Sequence, residues 1–200
     1  ILPMLFLSLG ILGLTQALVN ALPLELSGIP TDGRNALSLG KDEKALRAFW
    51  IQLKINQCSS QGMRYKDMPE EWFNISGDEL HSGPLNAALA VFRANRLLDM
   101  QLLDDTEQLI SRLLEEGGLP GIYQNLLRVD SLYLQAMKGQ AKQPDKALEK
   151  FMKAMKNSPS VLRSSYALAL AHGDSSKSRE YRHHLESLRH SYPFPGELES

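Results

Sequence analysis

The sequence predicts an all-α chain: an N-terminal membrane-embedded helix and loop, then a helical-hairpin domain. Three observations carry this. The run from Ile1 to Leu24 is apolar and free of charge, and about twenty such residues suffice for a helix to cross a bilayer. From Pro84 onward, apolar residues recur at helical spacing between Gly-, Pro- and Asp-rich breaks. No stretch alternates apolar and polar residues long enough to demand a strand.

The first region, 1–40, is membrane-associated. Pro3, Gly10 and Gly13 interrupt its apolar run, as membrane helices tolerate when neighbouring helices satisfy the freed backbone groups. Gly28, Pro30 and Gly33 make the following stretch irregular. The chain opens with Ile inside the apolar run and reads as the C-terminal part of a longer protein. A signal peptide would need a basic segment before its apolar core, and no Lys or Arg precedes Arg34. Arg34, Lys41, Lys44 and Arg47 then follow closely. Such a basic flank holds a loop on the cytoplasmic side, so residues after about 40 are expected in the cytoplasm.

Residues 41–83 are expected to form an amphipathic helix and a connector. Ala45, Leu46, Phe49, Trp50, Leu53 and Asn56 recur near helical spacing over 41–57, with Lys41, Lys44, Arg47 and Lys54 on the other side. That helix either lies along a membrane surface, with Trp50 at the interface, or packs its apolar face on a core. In the connector, Asp67-Met-Pro-Glu-Glu-Trp72 has the Pro and acids of a helix start. Trp72 and Phe73 are expected to bury against the following domain.

The third region, 84–191, divides into helices at about 84–100, 104–116, 119–138, 144–157, 160–171 and 175–191. The breaks are Asp104-Asp105, Gly117-Gly118, Gly139 to Pro144, Ser158-Pro159 and Gly173-Asp174. None of the six is long and apolar enough to cross a membrane. Residues 192–200 form a tail that cannot continue a helix past Pro193 and is expected to be mobile. Within the helical region, Ala147-x-x-x-Phe151-x-x-Ala154-x-x-x-x-Pro159 resembles the second helix of a tetratricopeptide repeat. The helix bearing Leu132, Tyr133 and Ala136 would be its partner. The resemblance implies a tetratricopeptide-like domain that binds or braces another protein; a generic helical bundle is the other reading of the same helices.

Formal charge is near balance, 22 Lys and Arg against 23 Asp and Glu. No basic patch or stripe of the kind nucleic-acid binding needs is present. The single cysteine, Cys58, excludes an intrachain disulfide and a zinc ribbon. His183 and His190 fall on one face of the last helix, with Glu186 as the one carboxylate between them at helical spacing. His81 and His172 stand alone.

Chemistry concentrates where the apolar run ends. An Asp beside a membrane segment is costly and marks a functional candidate. The stretch Val19-Asn20-Ala-Leu-Pro23-Leu-Glu-Leu-Ser-Gly28-Ile-Pro30-Thr-Asp32-Gly33-Arg34 resembles the second metal-binding motif of the site-2 protease family, the intramembrane zinc metalloproteases. The resemblance implies that Asp32 is a zinc ligand, that Asn20 and Pro23 shape the membrane-level loop, and that Gly33 lets the backbone turn at the metal. It also implies two histidine ligands on an earlier H-E-x-x-H helix, a motif absent from these residues. The Pro23-to-Asp32 spacing is longer than the commonest form, and Arg34 stands where a second Gly is usual. In such a site zinc activates water and polarises the scissile carbonyl.

The implied function is the C-terminal part of an intramembrane zinc metalloprotease. It would hydrolyse peptide bonds of membrane-anchored protein substrates and carry a cytoplasmic helical interaction domain. These residues alone hold no catalytic group and are expected to be inactive. Two alternatives stay open: Thr31 or Asp32 as a cap on a short helix from Gly33 to Leu39, and the whole chain as a non-enzymatic, membrane-anchored tetratricopeptide-like adaptor.

Overall fold

A computed structural model of the chain describes residues 2–26, 29–74 and 83–200. Gly28, His81 and the connector residues 75–82 lie outside these. Among the described residues the regular elements are helices apart from one two-residue ladder, so the all-α expectation holds. The chain divides into two compact units, Ile1–Arg47 and Ala48–Ser200.

In the first unit, α1 (Leu2–Ala21) contains no buried residue. Ser8 and Thr15 turn their hydroxyls back onto the carbonyls of Met4 and Ile11, so the helix shows an almost wholly apolar exterior. It is long and apolar enough to cross a membrane. A hairpin of β1 (Glu25–Leu26) and β2 (Ile29–Pro30) follows, pairing Glu25 with Pro30 and Leu26 with Ile29. The chain then enters α2 (Asp32–Leu39).

Helix α3 (Glu43–Ser60) spans the division between the units. Asp42 caps it, its carboxylate accepting from the N–H groups of Lys44 and Ala45 at 3.0 Å. In the second unit α3 buries Ala48, Ile51, Ile55 and Ser59. Its predicted apolar stripe is a different one: Leu46, Phe49, Trp50 and Leu53 are exposed. Helix α3 therefore has two apolar faces, one on the core and one in solvent.

The stretch after α3 packs into the core, with Phe73 buried and Trp72 half-buried, as expected. Two 3-10 turns, Tyr65–Asp67 and Glu70–Trp72, replace the helix expected at Asp67–Trp72. Tyr65, Met68 and Phe73 are buried, and Trp72 meets Trp50 edge to face with centroids 5.9 Å apart. Two charged residues of the next helix hold this irregular backbone. Arg96 donates to the carbonyls of Tyr65 and Met68 at 2.6 and 2.7 Å and lies 4.8 Å from the Phe73 ring centroid. Buried Asp99 accepts from the Lys66 N–H at 2.9 Å and from Arg64 Nε at 3.0 Å. Without these partners, buried backbone polar groups would destabilise the turn by about 1–3 kcal/mol each.

The remaining helices are α4 (Pro84–Asp99), α5 (Leu103–Glu116), α6 (Gly121–Met137), α7 (Lys146–Ala154), α8 (Pro159–Ala171) and α9 (Ser175–Leu188). Boundaries follow the predicted breaks. Asp145 and Asp174 cap α7 and α9, accepting from the N–H groups of Leu148 and Lys177. Gly173 ends α8 with φ +72°, a conformation that favours glycine. One apolar cluster joins α3, the 3-10 turns and α4 to α6, centred on Ile55, Leu89, Ile110, Leu113 and Leu127. A second joins Val129, Leu132, Leu148, Val161 and Leu168 across α6, α7 and α8. Each such fully buried aliphatic side chain contributes about 1.5–3 kcal/mol.

The repeat-like window packs in its own way. Leu148 is buried and Phe151 half-buried, while Ala147 and Ala154 are exposed. Helix α7 is only nine residues long, and α6 packs most extensively on α8. Pro159 begins α8 rather than merely ending α7.

The tail is docked. A short helix, α10 (Pro195–Glu199), starts on Pro195. Gly196 is buried so closely that a Cβ there would lie 2.1 Å from the Met63 carbonyl oxygen. The Glu197 N–H donates to Ser59 Oγ at 2.9 Å, and the Tyr65 N–H donates to Ser200 Oγ at 3.3 Å. Helix α9 ends at Leu188, short of Pro193, and the chain beyond Pro193 folds back onto the end of α3.

Candidate functional site

The four residues singled out where the apolar run ends fall in the last turn of α1, the loop after it and the start of α2. Asn20 sits in the last turn of α1 and is exposed; Pro23 follows in the loop and is exposed. Asp32 is the first residue of α2, with an exposed side chain. Gly33 comes next, inside α2 rather than at a turn. A Cβ there would lie 2.0 Å from the Ala21 carbonyl oxygen and 2.6 Å from its carbon. Only glycine allows α2 to start this close to the end of α1.

Thr31 closes the loop, and sequence reasoning gave it at most a capping role. It is buried, and its Oγ1 donates to the Leu22 carbonyl at 2.5 Å and accepts from the Leu24 N–H at 3.0 Å. Its own N–H donates to the Leu24 carbonyl at 3.0 Å. The hydroxyl is thus engaged with the end of α1 and the loop. The signal was a Thr directly before Asp-Gly: a small β-branched hydroxyl can enter a crowded bend and still satisfy two backbone groups. The consequence is geometric. The loop leaves the end of α1 at Leu22 and returns at Thr31, so Asp32 is presented beside that end.

A catalytic zinc takes three protein ligands. Among the described residues no three His, Cys, Asp or Glu side chains converge on a point that could hold a metal. Asp32 supplies one carboxylate, so the residues described do not by themselves fit a zinc ion.

Among the described residues the histidines do not form a site. His172 places Nδ1 2.7 Å from the Leu168 carbonyl and Nε2 3.1 Å from Gln143 Nε2, bridging α8 to the loop before α7. Helix α9 ends at Leu188, so His190 lies beyond it, and His183 and His190 are both exposed. Cys58 is a half-buried free thiol.

A second cluster went unnoticed in the sequence. Asp130 on α6 is 1 % exposed. Its Oδ1 accepts from Ser160 Oγ at 2.5 Å and from Arg163 Nη2 at 3.0 Å, both on α8. Ser164 Oγ donates to the Val129 carbonyl at 3.0 Å. Arg163 also lies 5.0 Å from the Tyr133 ring centroid. Burial pushes the Asp130 carboxyl above the usual carboxylate value, and Arg163 and Ser160 oppose that shift. Asp130 Oδ2 has no hydrogen-bond partner. The signal was present: Leu127, Asp130 and Leu134 share the buried stripe of α6, and a carboxylate on such a stripe needs a partner from another helix.

No known protein family matches the chain, nor does any curated protein or solved structure.

Proposed function

We propose that residues 1–40 belong to a membrane-embedded zinc metalloprotease domain, to which this chain contributes Asp32, and that the helices after residue 40 form a cytoplasmic protein-interaction domain. The full protein would hydrolyse peptide bonds of membrane-anchored substrates. One observation carries the reading: a bilayer-length apolar helix is followed by a loop that Thr31 and Gly33 fold back onto the helix end, leaving an exposed carboxylate at the first residue of α2. A carboxylate held there is costly unless a cation or a polar partner compensates it. The remaining metal ligands would come from sequence outside these residues.

Two further features support the membrane and partner parts of the proposal. Phe49, Trp50 and Leu53 form an exposed apolar stripe with Lys54 beside it, the composition of a helix that lies in a membrane interface. The succession of helices from α4 to α9, joined by short breaks, supports a helical interaction domain, in which α6 packs chiefly on α8 rather than pairing with α7 as in a tetratricopeptide repeat.

The test is metal content. The protein is expressed from its own gene at native length, purified in detergent, and zinc per chain is measured by mass spectrometry. One zinc per chain, lost in Asp32→Asn while helicity by circular dichroism is retained, is the expected result. Zinc-free protein, or zinc unaffected by Asp32→Asn, overturns the metalloprotease reading. The membrane-anchored helical adaptor is then what remains.

A further inference from the structure

Helix α3 has more apolar surface than its place in the core uses. Ala48, Ile51 and Ile55 are buried in the second unit, whereas Leu46, Phe49, Trp50 and Leu53 stand 38–52 % exposed. At about 100° per residue the two sets fall on opposite sides of the helix. A helix on the surface of a water-soluble domain needs only the first face. Exposed large apolar residues do not gather in this way on the later helices: the two on α6, Ile122 and Met137, lie at its opposite ends. A stripe of four along one helix is a contiguous patch of the kind that marks an interaction surface.

The path of the chain identifies the occupant. Thr31 is bonded back to the Leu22 carbonyl, so the loop after α1 starts and finishes at the end of that helix. From there α2 rises about 12 Å, and the turn after it is closed by the Asp42 N–H on the Leu39 carbonyl at 3.4 Å. Helix α3 thus begins within about 25 Å of the end of α1. Helix α1 is long and apolar enough to cross a bilayer. The surface of a bilayer that it crosses is therefore within reach of α3 at a high effective concentration, whereas a soluble partner has to be recruited.

The side chains suit that surface. Trp50, with Trp72 edge to face against it, is an amphipathic ring of the kind that settles at headgroup depth. Lys54 lies 5.8 Å from the Trp50 ring centroid, where a long basic side chain covers apolar surface and keeps its charge among the headgroups. Charge around the stripe is balanced: Lys41, Lys44, Arg47 and Lys54 are matched by Asp42, Glu43, Glu70 and Glu71. Attachment then comes from apolar burial, and a zwitterionic lipid suffices.

We propose that α3 lies in the bilayer surface, with Leu46, Phe49, Trp50 and Leu53 sunk to the boundary between headgroups and acyl chains. The second unit is then moored against the membrane by a helix whose other face is part of its core. The proposal rests on the crossing of a bilayer by α1 proposed above, and not on zinc or Asp32.

The test uses the full chain in phosphatidylcholine nanodiscs. The chain has two tryptophans, Trp50 and Trp72, so Trp72→Phe leaves Trp50 as the only one. Its emission should be quenched about twofold or more by lipid brominated high in the acyl chain, and less by lipid brominated at the chain end. Leu46→Ser with Leu53→Ser, both outside the core, should remove the quenching and leave the helical signal by circular dichroism unchanged. Added phosphatidylglycerol should make no difference, and a requirement for it overturns the apolar assignment. A chain that stays out of the discs overturns the crossing by α1 and this proposal with it. A chain within the discs whose Trp50 is unquenched overturns the proposal alone. Blue-shifted emission that brominated lipid does not quench means that protein, such as a second copy, covers the stripe, and overturns it too. If Trp72→Phe lowers the helical signal, the unsubstituted chain is used and the paired serine variant decides: quenching that survives it overturns the proposal.

Discussion

Helix α1 and helix α5 are both regular, and they solve opposite problems. Helix α5 keeps Asp104, Asp105, Glu115 and Glu116 at its ends and buries Thr106, Leu109, Ile110 and Leu113 along one stripe. Helix α1 buries nothing, and Leu5, Phe6, Leu9, Ile11 and Leu12 all stand more than half exposed. A helix apolar all round is stable only where something other than water surrounds it. The second unit therefore carries its own solvent-excluding core, whereas α1 buries no residue and is long and apolar enough to cross a membrane. The same residue type, leucine, does different work in the two.

The sharpest way to break that contrast is a pair of leucine truncations. Leu113→Ala, at a fully buried position, should destabilise the second unit by about 3 kcal/mol, seen as a lowered urea midpoint by circular dichroism. Leu9→Ala in α1 should leave that midpoint within about 0.5 kcal/mol. An equal effect of the two would remove the distinction.

Next in size is the tail. Gly196→Ala places a methyl 2.1 Å from the Met63 carbonyl, and expelling the tail should lower stability by about 2 kcal/mol. Limited proteolysis after Tyr192 or Phe194 should then become fast. In the first unit, Thr31→Val removes both bonds of the hydroxyl to Leu22 and Leu24. The expected loss is about 1 kcal/mol, confined to the loop and read as faster hydrogen exchange of the Leu24 amide and of the amide at position 31.

The smallest expected effect is a pH slope. Burial raises the Glu197 carboxyl above its ordinary 4.5, although the Tyr192 hydrogen bond opposes the shift. The folded chain then holds a proton that the unfolded chain has released. Stability from this group is fully present below 4.5 and is lost as pH rises through the raised value. Asp130 shifts in the same direction, again through burial. Urea midpoints across this window should fall with rising pH, and Glu197→Gln should flatten the slope in part. A slope unaltered by that substitution would place its origin elsewhere.

Helices α4 to α9 were legible because two independent signals agreed. Apolar periodicity gave the faces, and Gly117-Gly118, Ser158-Pro159 and Gly173-Asp174 gave the ends. What stayed hidden depends on partners distant in sequence. The burial of Trp72 and Phe73 was legible. Residues 64–71 have no period and read as a connector, yet Arg96 and Asp99 on α4 convert them into core. The tail has two prolines and reads as unstructured, yet Ser59 and Met63 offer it a fitted seat. The repeat-like window was legible as a helix but not in its packing, because Leu148 rather than the two alanines faces the neighbours. At the candidate site, the position of Asp32 beside the apolar run was legible. The reason for Gly33 was not, since the approach of α2 to Ala21 is a distance rather than a pattern.

The hydrogen bond from the Glu197 N–H to Ser59 Oγ joins residues 138 apart in the chain. Closing so long a loop is unfavourable until nearer contacts have shortened it, and contacts of this kind slow folding. The hairpins between α4 and α9 can form as soon as each pair of helices has been synthesised. Ser59 has to wait for Glu197. During synthesis the seat at Ser59 and Met63 therefore stays uncovered until the tail has emerged.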